Sequence, residues 1–258
     1  MKIYHNMKTQ SHIGNNKITI YKKKKLVLVK KEYSKHLKNR KIDSFKNELL
    51  FYKYLNKINC KEAPKVLNFN SYKREITFSF LKGRKLNKKD ITMLAIKNYL
   101  NFLVFINQDK NLYHSKKLNY ASDYSLSINN YFKNILDKII KTNSIIKKTK
   151  KKRLINKFNN LNLYYENYFN KINKNFSKNF LKKKYKIISP SDVGFHNVLK
   201  NKSKFYFFDF EYAGFDDPSK MISDFFLQPK YDINLKYLKL FHSQLFKNDN
   251  RFDEIFLR

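Results

Sequence analysis

Two periodicities divide the chain. Near the N-terminus apolar and polar residues alternate. Positions 17–21 have period two, 22–25 form a run of four Lys, and 26–29 are an apolar run closed by Lys30. Positions 63–67 and 75–81 have the same strand-like character. These segments predict short antiparallel strands. Between them, Ile42, Phe45, Leu49 and Tyr52 recur at helical spacing and predict a helix over 42–56. Beyond residue 82 the helical period takes over. Asp90 is placed to cap a helix bearing Ile91, Leu94, Ala95, Phe102, Phe105 and Ile106. Ser127 is placed to cap another bearing Ile128, Phe132, Ile135 and Ile139. Leu154, Phe158, Leu161 and Tyr165 mark a third, and a last helix is expected near 234–246. These stripes are read as plain core.

One strand-like stretch interrupts the helical part. Val198 and Leu199, and then 205–208, are apolar and are joined by the polar turn Asn201-Lys202-Ser203-Lys204. That pattern predicts a β-hairpin. In an antiparallel pair the start of one strand faces the end of the other, so Asn197 and Asp209 are expected to converge. Asp192 stands beside them on the loop that feeds the first strand. An amide oxygen and a carboxylate are hard ligands suited to Mg²⁺. Phosphoryl transfer asks for this set: one carboxylate to take the proton of an attacking hydroxyl, and an Asn with a second carboxylate to hold metal on the phosphates.

The stretch Pro190-Ser191-Asp192, then Asn197 five positions after the Asp, then Asp209-Phe210-Glu211, resembles the catalytic core of the aminoglycoside phosphotransferase and choline kinase family. Those small-molecule kinases carry His-x-Asp-x-x-x-x-Asn followed by an apolar strand ending in Asp. Pro190 stands where the family has His. The resemblance spans about residues 11–227 and implies an α+β, protein-kinase-like fold of two lobes. An antiparallel β N-lobe over 1–82 would bind the nucleotide. A mainly helical C-lobe over 83–258 would carry the catalytic hairpin and the acceptor site.

Residue by residue, the resemblance makes Asp192 the catalytic base and Asn197 and Asp209 the metal ligands. Gly14, Asn15 and Asn16 fall in the loop that covers the nucleotide phosphates. Lys30 shares a strand face with Leu28, and the resemblance sets that face over the nucleotide, with Lys30 on the phosphates and Lys31 turned to solvent. Glu48 borders the apolar stripe of its helix and leans inward, where a carboxylate requires a partner; Lys30 is the expected one. Asp216 and Asp217 are placed to cap the next helix. Asp224 is expected to brace the catalytic loop from behind.

The charge balance alters this picture little. Lys and Arg total 56 against 20 acidic residues, a net charge of +36, but only six of the 56 are Arg. Lys, Asn, Ile, Phe and Tyr are abundant while Gly, Pro, Ala and Trp are scarce, which is the split between AT-rich and GC-rich codons. Specific phosphate recognition favours Arg, so the Lys runs are read as solvated faces and no specific nucleic-acid partner is expected. A 42% apolar and 17% aromatic chain is not disordered. No stretch reaches the roughly 18 apolar residues of a membrane span. With Cys60 as the only cysteine there is no intrachain disulfide, and a reducing cytoplasm is the expected place.

The expectation is an ATP- and Mg²⁺-dependent phosphotransferase acting on a hydroxyl of a small molecule, of a sugar or polyol type. The alternatives weighed against it are a kinase-like binding protein without catalysis and a Lys-rich nucleic-acid binder.

Overall fold

The computed structural model describes residues 8–13, 16–23, 25–34, 42–125, 127–176, 186–192, 194–228 and 230–245. Gly14 and Asn15 lie outside them. The chain forms two compact units, one of residues 1–122 with 187–258 and one of residues 123–186.

The first unit opens with strands β1 (Lys8–Ile13), β2 (Asn16–Lys23) and β3 (Leu26–Glu32), then helix α1 (Ser44–Lys57), then β4 (Val66–Asn70) and β5 (Glu75–Ser79). The strands make one antiparallel sheet in the order β1-β2-β3-β5-β4. Directly opposed residues share a face. Ile18, Lys31 and Ile76 therefore line one side with Ile20, Val29 and Phe78; Thr19, Lys30 and Thr77 line the other. Ile76 and Phe78 are buried, so the Lys31 side faces the core.

Asp43 caps α1, its carboxylate accepting from the Lys46 amide at 3.2 Å, and two Arg74 bonds of 2.8 and 2.9 Å hold that cap. Helix α1 buries Phe45, Leu49, Tyr52 and, beyond the expected stripe, Phe51 and Leu55. Strand β6 (Arg84–Lys85) follows, then α2 (Met93–Ile106) and α3 (Asp109–Leu112). Asp90 does not cap α2. It closes a preceding 3₁₀ turn with Asn87 and accepts from Arg84 and Lys200, leaving Thr92 at the α2 N-cap. Its carboxylate was drawn to two cations that only the folded chain brings near.

The second unit holds α4 (Ile128–Lys148) and α5 (Lys152–Phe176). Ser127 caps α4 through its hydroxyl, which accepts from the Asn130 amide at 3.1 Å. Phe132 packs on Tyr165 and Phe169, with centroids at 5.8 and 4.4 Å. Neither these nor any other described helix is long and apolar enough to cross a membrane.

The first unit resumes with β7 (Ile187–Ser189), the hairpin β8 (Val198–Asn201) and β9 (Lys204–Phe207), β10 (Gly214–Asp216), α6 (Pro218–Phe226) and α7 (Leu238–Leu245). Asp217 caps α6, with Pro218 at its first position. An aromatic core of Tyr99, Phe102, Phe195, Phe207, Phe225 and Phe241 lies under the hairpin. It gives the polar loops at the hairpin's ends a rigid floor.

Candidate active site

The hairpin pairs Val198 with Phe207, and the Phe208 amide donates to the Asn197 carbonyl at 3.2 Å. Asn197 and Asp209 thus sit at one end of it. The Asn197 amide nitrogen donates to the Asp192 carbonyl at 2.9 Å, which leaves its Oδ1 as the oxygen it can offer a ligand. Asp192 is more than half exposed, and its carboxylate lies 3.5 Å from His196 Nε2. Its carboxylate is thus open to a molecule arriving from solvent.

The loop is held from behind. Phe195 donates its amide to Gln228 Oε1 at 2.8 Å, and Gln228 is buried. A Cβ on Gly194 would meet His196 Nδ1 at 2.7 Å and Gln228 Oε1 at 2.8 Å, so a larger residue there would have to displace those two side chains. Asn107 clamps β7, donating to the Ile188 carbonyl at 3.0 Å and accepting its amide at 2.8 Å. Asp224, expected in the bracing role, instead accepts from Lys220 at 2.5 Å, one helical turn away on α6. That Lys also reaches Asp216 at 3.1 Å. Ser191 and Asp209 have φ of 59° and 69°. Non-glycine residues in that left-handed region are uncommon and cluster where a side chain must be aimed.

The lysine that meets Glu48 is Lys31, expected in solvent, and not Lys30. Lys31 Nζ donates to Glu48 Oε2 at 2.6 Å and to Asp209 Oδ1 at 2.5 Å, with Glu211 Oε2 at 4.0 Å. Lys30, on the opposite face, pairs with Glu32 at 2.8 Å and Glu75 at 3.3 Å. Period two correctly separates the two lysines, but it does not say which face turns inward, and a shift of one residue exchanges the faces. The expected inward Glu48 is present, at 1% exposure. Besides Lys31 it accepts from the Tyr33 hydroxyl at 2.6 Å and the Phe210 amide at 3.1 Å.

Burial governs the electrostatics here. It pushes the Glu48 carboxyl up to about 7, against the pull of Lys31. Burial would by itself lower Lys31, but Glu48, Asp209 and Glu211 outweigh it and hold the ammonium above its ordinary range.

Glu211 joins this cluster although the sequence gives it no distinct role. Asn16 Nδ2 donates to Glu211 Oε2 at 3.0 Å, and Asn47 Nδ2 donates to the Glu211 carbonyl at 3.1 Å. One oxygen each from Glu48, Asp209 and Glu211 fall within 4.8 Å of one another. Among the sequence-expected site residues, Asn16, Glu48, Asn197 and Asp209 come together with Asp192 on the adjoining loop, and Lys30 does not join them. Lys31, Glu211 and Gln228 are the additions. The rule that an inward Glu needs a partner pointed to the right neighbourhood; no local signal distinguishes Gln228 from other amides.

A β-sheet with one helix, a helical remainder and a β-hairpin make up a protein-kinase-like fold, and solved structures share it. Over 94% of this chain and 74% of theirs, the structure matches a choline kinase from Cryptosporidium parvum Iowa II with a TM-score of 0.61 and 16% identity. It matches the choline kinase LicA from Streptococcus pneumoniae with a TM-score of 0.59 and 14% identity, over 95% of this chain and 75% of that one. A spectinomycin phosphotransferase in complex with ADP and spectinomycin matches at 0.54 and 16%, over 86% and 69% of the two chains. No family model matches the sequence. No curated protein matches it either.

Proposed function

We propose that the chain is an ATP- and Mg²⁺-dependent phosphotransferase that phosphorylates a hydroxyl of a small molecule of the sugar or polyol kind. The observation that carries this reading is the contact of Lys31 with both Glu48 and Asp209, made beside a loop that presents Asp192 and Asn197. The kinases that share the fold support it, among them one solved with ADP.

Asp192 accepts the proton of the attacking hydroxyl and aims its oxygen. Lys31, kept charged by its carboxylates, offers positive charge to the transferring phosphoryl group, where charge stabilisation does most of the work. Glu48 holds Lys31 in place. Asp209 and Asn197 Oδ1 supply the hard oxygens that fit Mg²⁺, and Glu211 stands near enough to Asp209 to add another. A bound Mg²⁺ would neutralise charge on the phosphates. Asn16 ties the start of β2 to Glu211 and so to the site; Gly14 and Asn15 are proposed to contact the nucleotide phosphates.

Thermal unfolding with and without ATP and Mg²⁺ tests the reading. A ligand at about 100 times its Kd stabilises by roughly 2.7 kcal/mol. The wild type should shift upward only with both present, and Asp209→Ala should not. Asp192→Asn should keep the shift while turnover falls about 10²–10⁴-fold. No shift in the wild type at millimolar ATP would favour a kinase-like binding protein without catalysis.

A further inference from the structure

Several cations around the site have carboxylates of their own. Lys31 has Glu48 and Asp209, Lys220 has Asp216 and Asp224, and Arg84 and Lys200 share Asp90. Lys85 and Lys230 are different. Among the described residues no carboxylate lies within 4.0 Å of either ammonium.

Both are exposed, and Lys85 stands beside the loop that carries Asp192. Lys85 lies on β6, which pairs with β8, and its Nζ donates to the His196 carbonyl at 3.4 Å. The same ammonium lies 5.6 Å from the ring centroid of Phe208, the residue before Asp209. His196 in turn touches the Asp192 carboxylate. Lys230 precedes the buried Tyr231, which donates its hydroxyl to the carbonyl of Leu86, the residue after Lys85, at 2.8 Å. The two charges feel one another. Burial and then the repulsion of Lys230 lower the Lys85 pKa, and Asp209 offsets part of this.

Among the described residues neither ammonium has a carboxylate within 4.0 Å, so an anion that reached both would meet two positive charges. A cationic acceptor would meet repulsion at this point. We propose that Lys85 and Lys230 bind an anionic group, a carboxylate or a phosphate, on the acceptor whose hydroxyl Asp192 addresses, so that the substrate is an acidic or already phosphorylated sugar or polyol. The inference rests on the phosphotransferase reading above and gives it a charge preference.

One ring with graded charge makes the test. Label transfer from γ-labelled ATP with Mg²⁺ is measured onto glucose, glucosamine, glucuronate and glucose 1-phosphate, and nucleotide binding is followed by thermal shift in the same samples. Transfer to an anionic member with kcat/KM at least tenfold above glucose, and with glucosamine lowest, is the expected result. In Lys85→Ala/Lys230→Ala the acceptor KM should rise at least tenfold, the KM for ATP should move less than threefold, and Lys85→Arg/Lys230→Arg should restore the acceptor KM.

Equal use of glucose and the anionic members overturns the proposal. So does a rise confined to the KM for ATP, which would assign the lysines to the nucleotide's phosphates. Stabilisation by ATP and Mg²⁺ with no transfer to either anionic sugar overturns the anionic acceptor alone. Absence of that stabilisation overturns the phosphotransferase reading and this inference with it.

Discussion

The two faces of the N-terminal sheet carry nearly the same chemistry with opposite consequences. On the inner face Lys31 sits among Glu48, Asp209 and Glu211; on the outer face Lys30 sits between Glu32 and Glu75. Each is a lysine bridging carboxylates, and the two are adjacent in sequence. Lys31 and Glu48 have side-chain exposures of 7% and 1%, whereas Lys30 and Glu32 have 29% and 27%. Water screens the outer pair, so it contributes little. The inner charges cannot turn to solvent and must satisfy one another. What separates a surface ion pair from a candidate catalytic one here is burial, not composition.

Removing the inner cation is the strongest way to break this comparison. Lys31→Met leaves Glu48 buried without its cation and should cost about 3–5 kcal/mol in urea unfolding at neutral pH, the usual effect of breaking a buried pair. The loss should depend on pH. Lys31 holds the Glu48 pKa down, so its removal raises the folded value above about 7, from an ordinary 4.5. A folded-state pKa raised in this way adds stability that is present below 4.5 and lost as pH rises through the folded value. The variant should therefore lie closer to the wild type at pH 5 than at pH 8. A deficit independent of pH would show that Glu48 does not respond to Lys31.

The outer face sharpens the contrast. Lys30→Met should cost no more than about 1 kcal/mol, shrink further at high salt, and leave Mg²⁺-dependent ATP binding unchanged. A loss of nucleotide binding in this variant, with Lys31 intact, would reverse the assignment of the two lysines.

The smallest effect belongs to an ion pair remote from both lysines. The Asp90 carboxyl is held below its ordinary 3.8 by Arg84, the Asn87 amide and Lys200. A depressed carboxylate contributes stability above its unfolded value and loses it as pH falls through the folded one. Asp90→Asn should lower stability at neutral pH and flatten the acid limb below pH 3.8, so that the variant approaches the wild type as pH falls. An unchanged acid limb would remove Asp90 from that role.

Local pattern carried the elements a long way. The strands, the Asp217 and Ser127 caps and the hairpin follow from turn chemistry and periodicity within short windows. The convergence of Asn197 with Asp209 follows too, because a tight hairpin leaves two nearby positions little freedom. Asp90 shows the limit. Its spacing suits an N-cap, but Arg84 and Lys200 offered a stronger partner than a backbone amide. Gln228 lies 33 residues from the Phe195 amide it receives, and nothing in its own neighbourhood marks it.

The sequence by itself determined that Lys30 and Lys31 lie on opposite faces, that Glu48 leans inward, and that Asp192, Asn197 and Asp209 stand at the ends of one hairpin. Each follows from helix, strand or turn geometry over a few residues. Only the tertiary structure decided which lysine meets Glu48, that Glu211 joins them through Asn16, and that Lys85 reaches the His196 carbonyl with no carboxylate within 4.0 Å among the described residues. Those outcomes depend on which face of a sheet turns to the core and on segments more than a hundred residues apart coming into contact, and no short-range periodicity encodes either.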